Sequence, residues 1–169
     1  MKSLYLVLLG GKHEKANVEV HDVIPVICSD LTEAYQYLKQ QWFGKSQGLH
    51  IDGWMKIQGT IYNEQSYQLV ISQDVSSSEL KPYLINLGAY LPNEFGETHK
   101  YLIVAGKDKA DAKAQGKLAI EGHWFKPHTD AVIELDDCME IGCIEQNYLS
   151  FVQGEFLENS FMNDYIILP

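Results

Sequence analysis

The chain contains no arginine. This removes the planar five-donor fork that grips carboxylates and phosphates at two points, and with it any arginine-finger chemistry. Cysteine is scarce: Cys28, Cys138 and Cys143 are an odd set of three in 169 residues. They cannot build the disulfide framework of a small secreted domain, and they fit a reducing cytoplasm. No run of about 18 apolar residues exists, so no membrane-spanning helix is predicted. Positive charge is also short, with thirteen lysines against twenty-three acidic residues and a net charge of −10. Such a surface repels nucleic acid and anionic membranes, and neither is expected as a partner. The acidity is uneven: residues 1–78 carry six lysines and eight acids, residues 79–169 seven lysines and fifteen acids.

What is present is globular. Apolar residues make up 46% and charged ones 21%, and a chain of this length buries about 70% of its unfolded surface. The opening Met1-Lys2-Ser3 and the apolar Leu4–Leu9 imitate a signal peptide, but the run is short and no small-x-small cleavage site follows.

Sliding the chain against itself by 78 positions pairs Tyr5 with Tyr83, Gly10 with Gly88, Glu19 with Glu97, His21 with His99, Asp30 with Asp108, His50 with His128 and Asp52 with Asp130. The thirteen identities over 48 ungapped positions stand well above the roughly three expected from composition, and they read as an internal repeat. The same alignment places Tyr83-Leu84-Ile85-Asn86-Leu87-Gly88 opposite the N-terminal run, which marks that run as a strand. The expected fold is α+β: two tandem β-β-α-β-β units about a pseudo-twofold axis, with mainly antiparallel sheets. The first unit is 1–75 and the second 79–169, with a C-terminal extension and Ser76-Ser77-Ser78 as linker.

Within the first unit, Leu4–Leu9 is apolar on both faces, as a central strand is, and Gly10-Gly11 reads as its end. Val20–Ile27 is rich in β-branched residues. Asp30-Leu31-Thr32-Glu33 then offers an N-cap with an acid three residues on, predicting a helix over roughly 30–43 with Leu31, Ala34, Tyr35, Leu38 and Trp42 on one face. Strands follow at Leu49–Gln58 and Tyr67–Ser72. The second unit predicts strands near 82–87, 98–105, 129–136 and 147–153, a helix from Asp108 packed through Ala112 and Ile120 despite Gly116, and a last edge strand at Tyr165–Leu168.

The candidate chemistry lies in four histidines, each with an acid two positions away: Glu19 and His21, His50 and Asp52, Glu97 and His99, His128 and Asp130. Residues i and i+2 of a strand share a face, so each pair projects together. If the second and third strands of a unit meet on that face, Glu, His, His and Asp gather with ligand types suited to zinc or another divalent ion. The plain alternative is that the pairs are structural hydrogen bonds at strand ends. Other motifs carry less. Gly44-Lys45-Ser46 lacks the first glycine of a phosphate loop, and Gly10-Gly11-Lys12 leads to no helix. Cys28 precedes a helix, where a lowered thiol pKa could make a nucleophile, but a small buried residue explains its exchange for Gly106. Cys138 and Cys143 form at most half a metal site, and Trp42, Trp54 and Trp124 read as packing. No cofactor motif is found.

Leu6-Val7-Leu8-Leu9-Gly10-Gly11, Val18-Glu19-Val20-His21-Asp22-Val23, Leu49-His50-Ile51-Asp52, and Pro127-His128-Thr129-Asp130 leading to Leu135-Asp136-Asp137-Cys138 together resemble the bacterial family catalogued as domain of unknown function 1543. The resemblance covers nearly the whole chain. It implies a small bacterial protein and brings no catalytic residue with it. The chain therefore reads first as a non-enzymatic module that binds a small molecule or a protein, with the divergent loops Gly11–Val18 and Ala89–Gly96 as its contact surface. The alternative is a metal-dependent hydrolase using the repeated pairs. An open edge strand in each sheet allows a homodimer.

Overall fold

The computed structural model describes residues 2–90, 95–123 and 133–169, with the side chains of 120–123 and 133–134 outside the description. Its strands are β1 (Ser3–Gly11), β2 (Val20–Cys28), β3 (His50–Ile57), β4 (Gly59–Tyr62), β5 (Gln65–Ser72), β6 (Lys81–Tyr90), β7 (Glu97–Gly106), β8 (Ile133–Glu140), β9 (Cys143–Ile144), β10 (Asn147–Gln153) and β11 (Ser160–Ile167). The α-helices among the described residues are α1 (Tyr35–Gln41) and α2 (Lys109–His123). Among the described residues every strand pairing is antiparallel, so the α+β, mainly antiparallel expectation holds. None of the described helices is long and apolar enough to cross a membrane.

The chain forms two compact units, Met1–Gln58 with Leu157–Pro169, and Gly59–Phe156. This differs from the division at 75–79 suggested by the repeat, and strand pairing is the reason. β5, expected in the first unit, pairs along its length with β10, from Tyr148 opposite Ser72 to Gln153 opposite Tyr67. β11 returns from the C-terminus to pair with β3, and it is longer than the edge strand predicted at Tyr165–Leu168.

The first unit is one sheet of order β11-β3-β1-β2. On one face Tyr5, Val7 and Leu9 of β1 pack with Val26 and Cys28 of β2, Ile51 of β3, and Ala34, Leu38 and Trp42 of the helical segment. That segment opens as a 3₁₀ turn over Leu31–Ala34, where Asp30 Oδ1 accepts from the Thr32 amide at 2.9 Å and Glu33 Oε2 from the Ser29 amide at 3.1 Å. It stops at Trp42, whose backbone is extended and whose indole Nε1 donates to the Lys45 carbonyl at 3.1 Å. Residues of β1 alternate between faces, so Leu4, Leu6, Leu8 and Gly10 lie on the face away from the helix. Gly10 and Gly11 do not end the strand as predicted. Both lie within it, and Gly10 is paired with His21 on one side and His50 on the other.

The second unit holds two sheets, of order β4-β5-β10-β9 and β7-β6-β8. α2 lies against β6, β7 and β8, with Ala112 fully buried in a cluster with Tyr83, Ile85, Leu87, Val104 and Cys138. Gly116 earns its place there: a Cβ would lie 3.2 Å from Leu135 Cδ1 and 3.3 Å from Ile85 Cγ2. A Cβ on Gly106 would meet the Ala112 amide nitrogen at 2.8 Å, which is why that position cannot copy Cys28. Trp124, His128 and Asp130, the Ile120 side chain and part of the loop Ala89–Gly96 lie outside the described residues.

Candidate metal centre

The face of the first sheet that lacks the helix carries the cluster. Glu19 precedes β2, His21 lies within it, and His50 and Asp52 stand on β3. β2 and β3 are not neighbours; β1 separates them. Their side chains meet because the intervening residue is Gly10. A Cβ there would press on Asp52 Oδ2 and lie 2.7 Å from His50 Nε2. Asp52 owes its place to a β-bulge. Leu8 pairs with Gly53 and Leu9 with Ile51, which leaves Asp52 unmatched and re-aimed, a common role of bulges beside functional sites.

The four donors alternate around a ring. His21 Nε2 lies 3.4 Å from Glu19 Oε1 and 3.1 Å from Asp52 Oδ2; His50 Nε2 lies 3.5 Å from Glu19 Oε1 and 3.3 Å from Asp52 Oδ1. Two ligands bonded at about 2.0–2.2 Å to a tetrahedral ion stand about 3.3–3.6 Å apart; the His50 edges to Glu19 and Asp52 match this, whereas His21 meets Asp52 through the other carboxylate oxygen and stands outside the set that converges. Ligand atoms of Glu19, His50 and Asp52 all lie within 4.8 Å of one another.

One hydrogen bond orients the buried histidine of this ring. His50 is 2% exposed, and its Nδ1 lies 2.8 Å from the Gly48 carbonyl oxygen. A carbonyl only accepts, so Nδ1 carries a proton, and Nε2 is the nitrogen turned towards the two carboxylates. Neither His50 Nε2 nor Asp52 Oδ2 has a hydrogen-bond partner among the described residues, although both are buried. Leaving such atoms unpaired costs about 1–3 kcal/mol each, and a cation shared by all four groups would satisfy them. Glu19 and His21, each 45% exposed, form an open rim over this buried floor.

In the second unit the frame recurs with altered chemistry. Gly88 of β6 is paired with His99 of β7 and Glu134 of β8, and the β8 bulge leaves Asp136 unmatched between Leu135 and Asp137. Asp136 thus holds the station of Asp52, six residues beyond the position the ungapped repeat assigned to Asp130, and Glu134 holds the register position of His50. His99 Nδ1 lies 3.4 Å from Asp136 Oδ2, and Nε2 lies 3.9 Å from Glu97 Oε2. His99 is 39% exposed and its Nδ1 already faces Asn86 Oδ1 at 3.2 Å. Unlike the first cluster, this one holds no buried orphaned atom among the described residues.

The cysteines supply no chemistry to either cluster. Burial first, then the charges of Glu33 and Asp30, push the Cys28 thiol up to about 11, which is the opposite of an activated nucleophile. Cys138 is buried, Cys143 is exposed, and both are free thiols. The sequence pairs identified Glu19, His21, His50, Asp52, Glu97 and His99. They did not reveal Gly10, the Gly48 carbonyl or Asp136. A gapped comparison of Ile51-Asp52-Gly53 with Leu135-Asp136-Asp137 would have exposed the last.

No curated protein matches the chain. A solved structure, that of a protein Il1583 from Idiomarina loihiensis, is similar over 100% of this chain and 99% of its own, with a TM-score of 0.75 and 22% identity. That likeness speaks for the fold. The model of the family described as Domain of Unknown Function (DUF1543) matches residues 16–69, the stretch holding all four donors of the first cluster; the resemblance is met there, while the motifs at 6–11 and 127–138 lie outside the match.

Proposed function

We propose that the chain is a binding module whose ligand is a divalent transition-metal ion, held by Glu19, His21, His50 and Asp52. The observation that carries this reading is the buried His50 Nε2, fixed by the Gly48 carbonyl and aimed without a hydrogen-bond partner at two carboxylates. Two imidazoles and two carboxylates suit zinc and its first-row neighbours better than calcium or magnesium, which prefer all-oxygen shells. Two carboxylates also neutralise a dication, so the ion enters a partly buried site without net charge. The frame of the second sheet, a central glycine flanked by a histidine strand and a bulged acidic strand, supports reading the chain as two copies of one unit.

Calorimetric titration of chelator-treated, untagged protein with zinc tests the proposal. One tight equivalent is expected, lost in His50→Ala and in Glu19→Gln, the second at a half-exposed position that tolerates change. Wild-type protein that binds no zinc, or variants that bind it equally, would overturn the reading.

The alternative of a metal-dependent hydrolase rests on the exposed rim of Glu19 and His21. An ion held by only three of the four groups would keep its fourth position at this rim within reach of water, and zinc lowers the pKa of bound water to about 7. Zinc-loaded protein that cleaves activated ester or phosphodiester probes, with the rate abolished in His50→Ala, would favour it. No turnover above buffer would leave the binding module alone.

A further inference from the structure

The C-terminal strand meets β3 at the very residues that form the site. β11 pairs with β3 in two stretches, Ser160–Asn163 opposite Lys56–Gly53, and Ile166 and Ile167 opposite Ile51 and His50. Between them Asp164 and Tyr165 stand against the single unmatched residue Asp52. The Tyr165 ring packs on the imidazole of His50, with centroids 4.4 Å apart and planes tilted by 39°.

We infer that Tyr165 is a positioning residue for His50, so that metal binding at Glu19, His21, His50 and Asp52 is coupled to the docking of β11 on β3. This rests on the metal reading above. The Gly48 carbonyl holds one nitrogen of His50, but a single hydrogen bond leaves the ring free to tilt about that contact. A ring packed against its face supplies the second constraint and keeps Nε2 on the carboxylates. Second contacts of this kind orient metal-binding imidazoles and change affinity by about 10–100-fold.

β11 is suited to such coupling because it is lightly held. It forms one edge of the sheet, and of its eight residues all but Ile166 are exposed. Strands of this kind open at low free energy. A ligand that favours the docked state must be favoured by docking to the same degree, because the coupling is reciprocal.

Hydrogen exchange of residues 160–167, read by mass spectrometry with and without zinc, tests the inference together with the absorption spectrum of cobalt-substituted protein. In the wild type zinc is expected to slow that exchange about tenfold. Tyr165→Ala is expected to weaken zinc binding about tenfold and shift the cobalt bands, and Tyr165→Phe to restore both. Leu168→Ala, which removes a buried anchor just past β11 on the helix face of the sheet, separates docking from positioning: once loaded with cobalt its spectrum should match the wild type, and a spectrum shifted as in Tyr165→Ala would overturn the positioning role. Zinc bound by the wild type with unchanged exchange at 160–167 would overturn the coupling and leave the metal reading standing. So would a Tyr165→Ala protein that loses stability but keeps its affinity and spectrum. A wild type that binds no zinc would overturn both.

Discussion

Gly10 shows how one missing side chain makes room for chemistry. The space its Cβ would fill is taken by Asp52 Oδ2 and His50 Nε2, both at the ends of side chains that can turn away. Gly10→Ala should therefore cost about 1 kcal/mol of stability while lowering zinc affinity at least tenfold; paired urea denaturation and calorimetry will separate the two effects. A second residue-scale prediction concerns Cys28. Its thiol ionises at about 11 in the folded chain against a usual value of 9.0, so between these values the native state keeps a proton that the unfolded state has released. Stability present below pH 9 is then lost as pH rises towards 11. Urea midpoints across that interval should fall in the wild type and fall less in Cys28→Ala; equal slopes would refute the assignment. The histidine and acid pairs were legible in the sequence because strand periodicity alone puts residues i and i+2 on one face. Gly10, the Gly48 carbonyl and Tyr165 were not, because they act through space, backbone and a contact across more than a hundred residues.

At the scale of elements, the central strands and the α1 region followed from local pattern, whereas hairpins and bulges did not. β4 was not foreseen between the strands expected at Leu49–Gln58 and Tyr67–Ser72, because the turn that joins it to β5 carries no glycine. Asn63 and Glu64 both adopt positive φ, 49° and 65°, as do Glu145 and Gln146 at 46° and 66°. Such turns normally announce themselves as Asn-Gly or Asp-Gly, and a glutamate in the left-handed region is strained. Glu64→Gly is expected to raise stability by about 0.5 kcal/mol, relief of that strain exceeding the entropy glycine adds to the unfolded chain; a lower urea midpoint would contradict it. A difference in length, not the bulge that both units share, explains why the repeat did not point to Asp136. An ungapped comparison cannot follow the second unit, where the bulged acid Asp136 lies 28 positions after Asp108 against 22 from Asp30 to Asp52, and pattern alone gives no sign of where a ladder skips a residue.

At the scale of the molecule, neither unit corresponds to one half of the sequence. The first is completed by residues 157–169, where the Gln58 amide donates to Asn159 Oδ1 at 2.6 Å and the Leu168 amide to the Leu49 carbonyl at 3.0 Å. Leu168 is 6% exposed and packs into the core beneath the helix. Leu168→Ala should cost about 2 kcal/mol and reduce amide protection throughout 3–57 while sparing 81–106; uniform loss across the chain would show that the units unfold together. No composition or motif foretells such a return, since the pairing of β11 with β3 depends on where the whole path between them leads. The arrangement also sets an order of events during synthesis. β3 leaves the ribosome with half of the donors, yet its partner strand β11 follows only after more than a hundred further residues. The edge beside His50 and Asp52 therefore stays open while the whole second unit is made, and the contact of Tyr165 with His50 forms well after the four donor residues themselves exist.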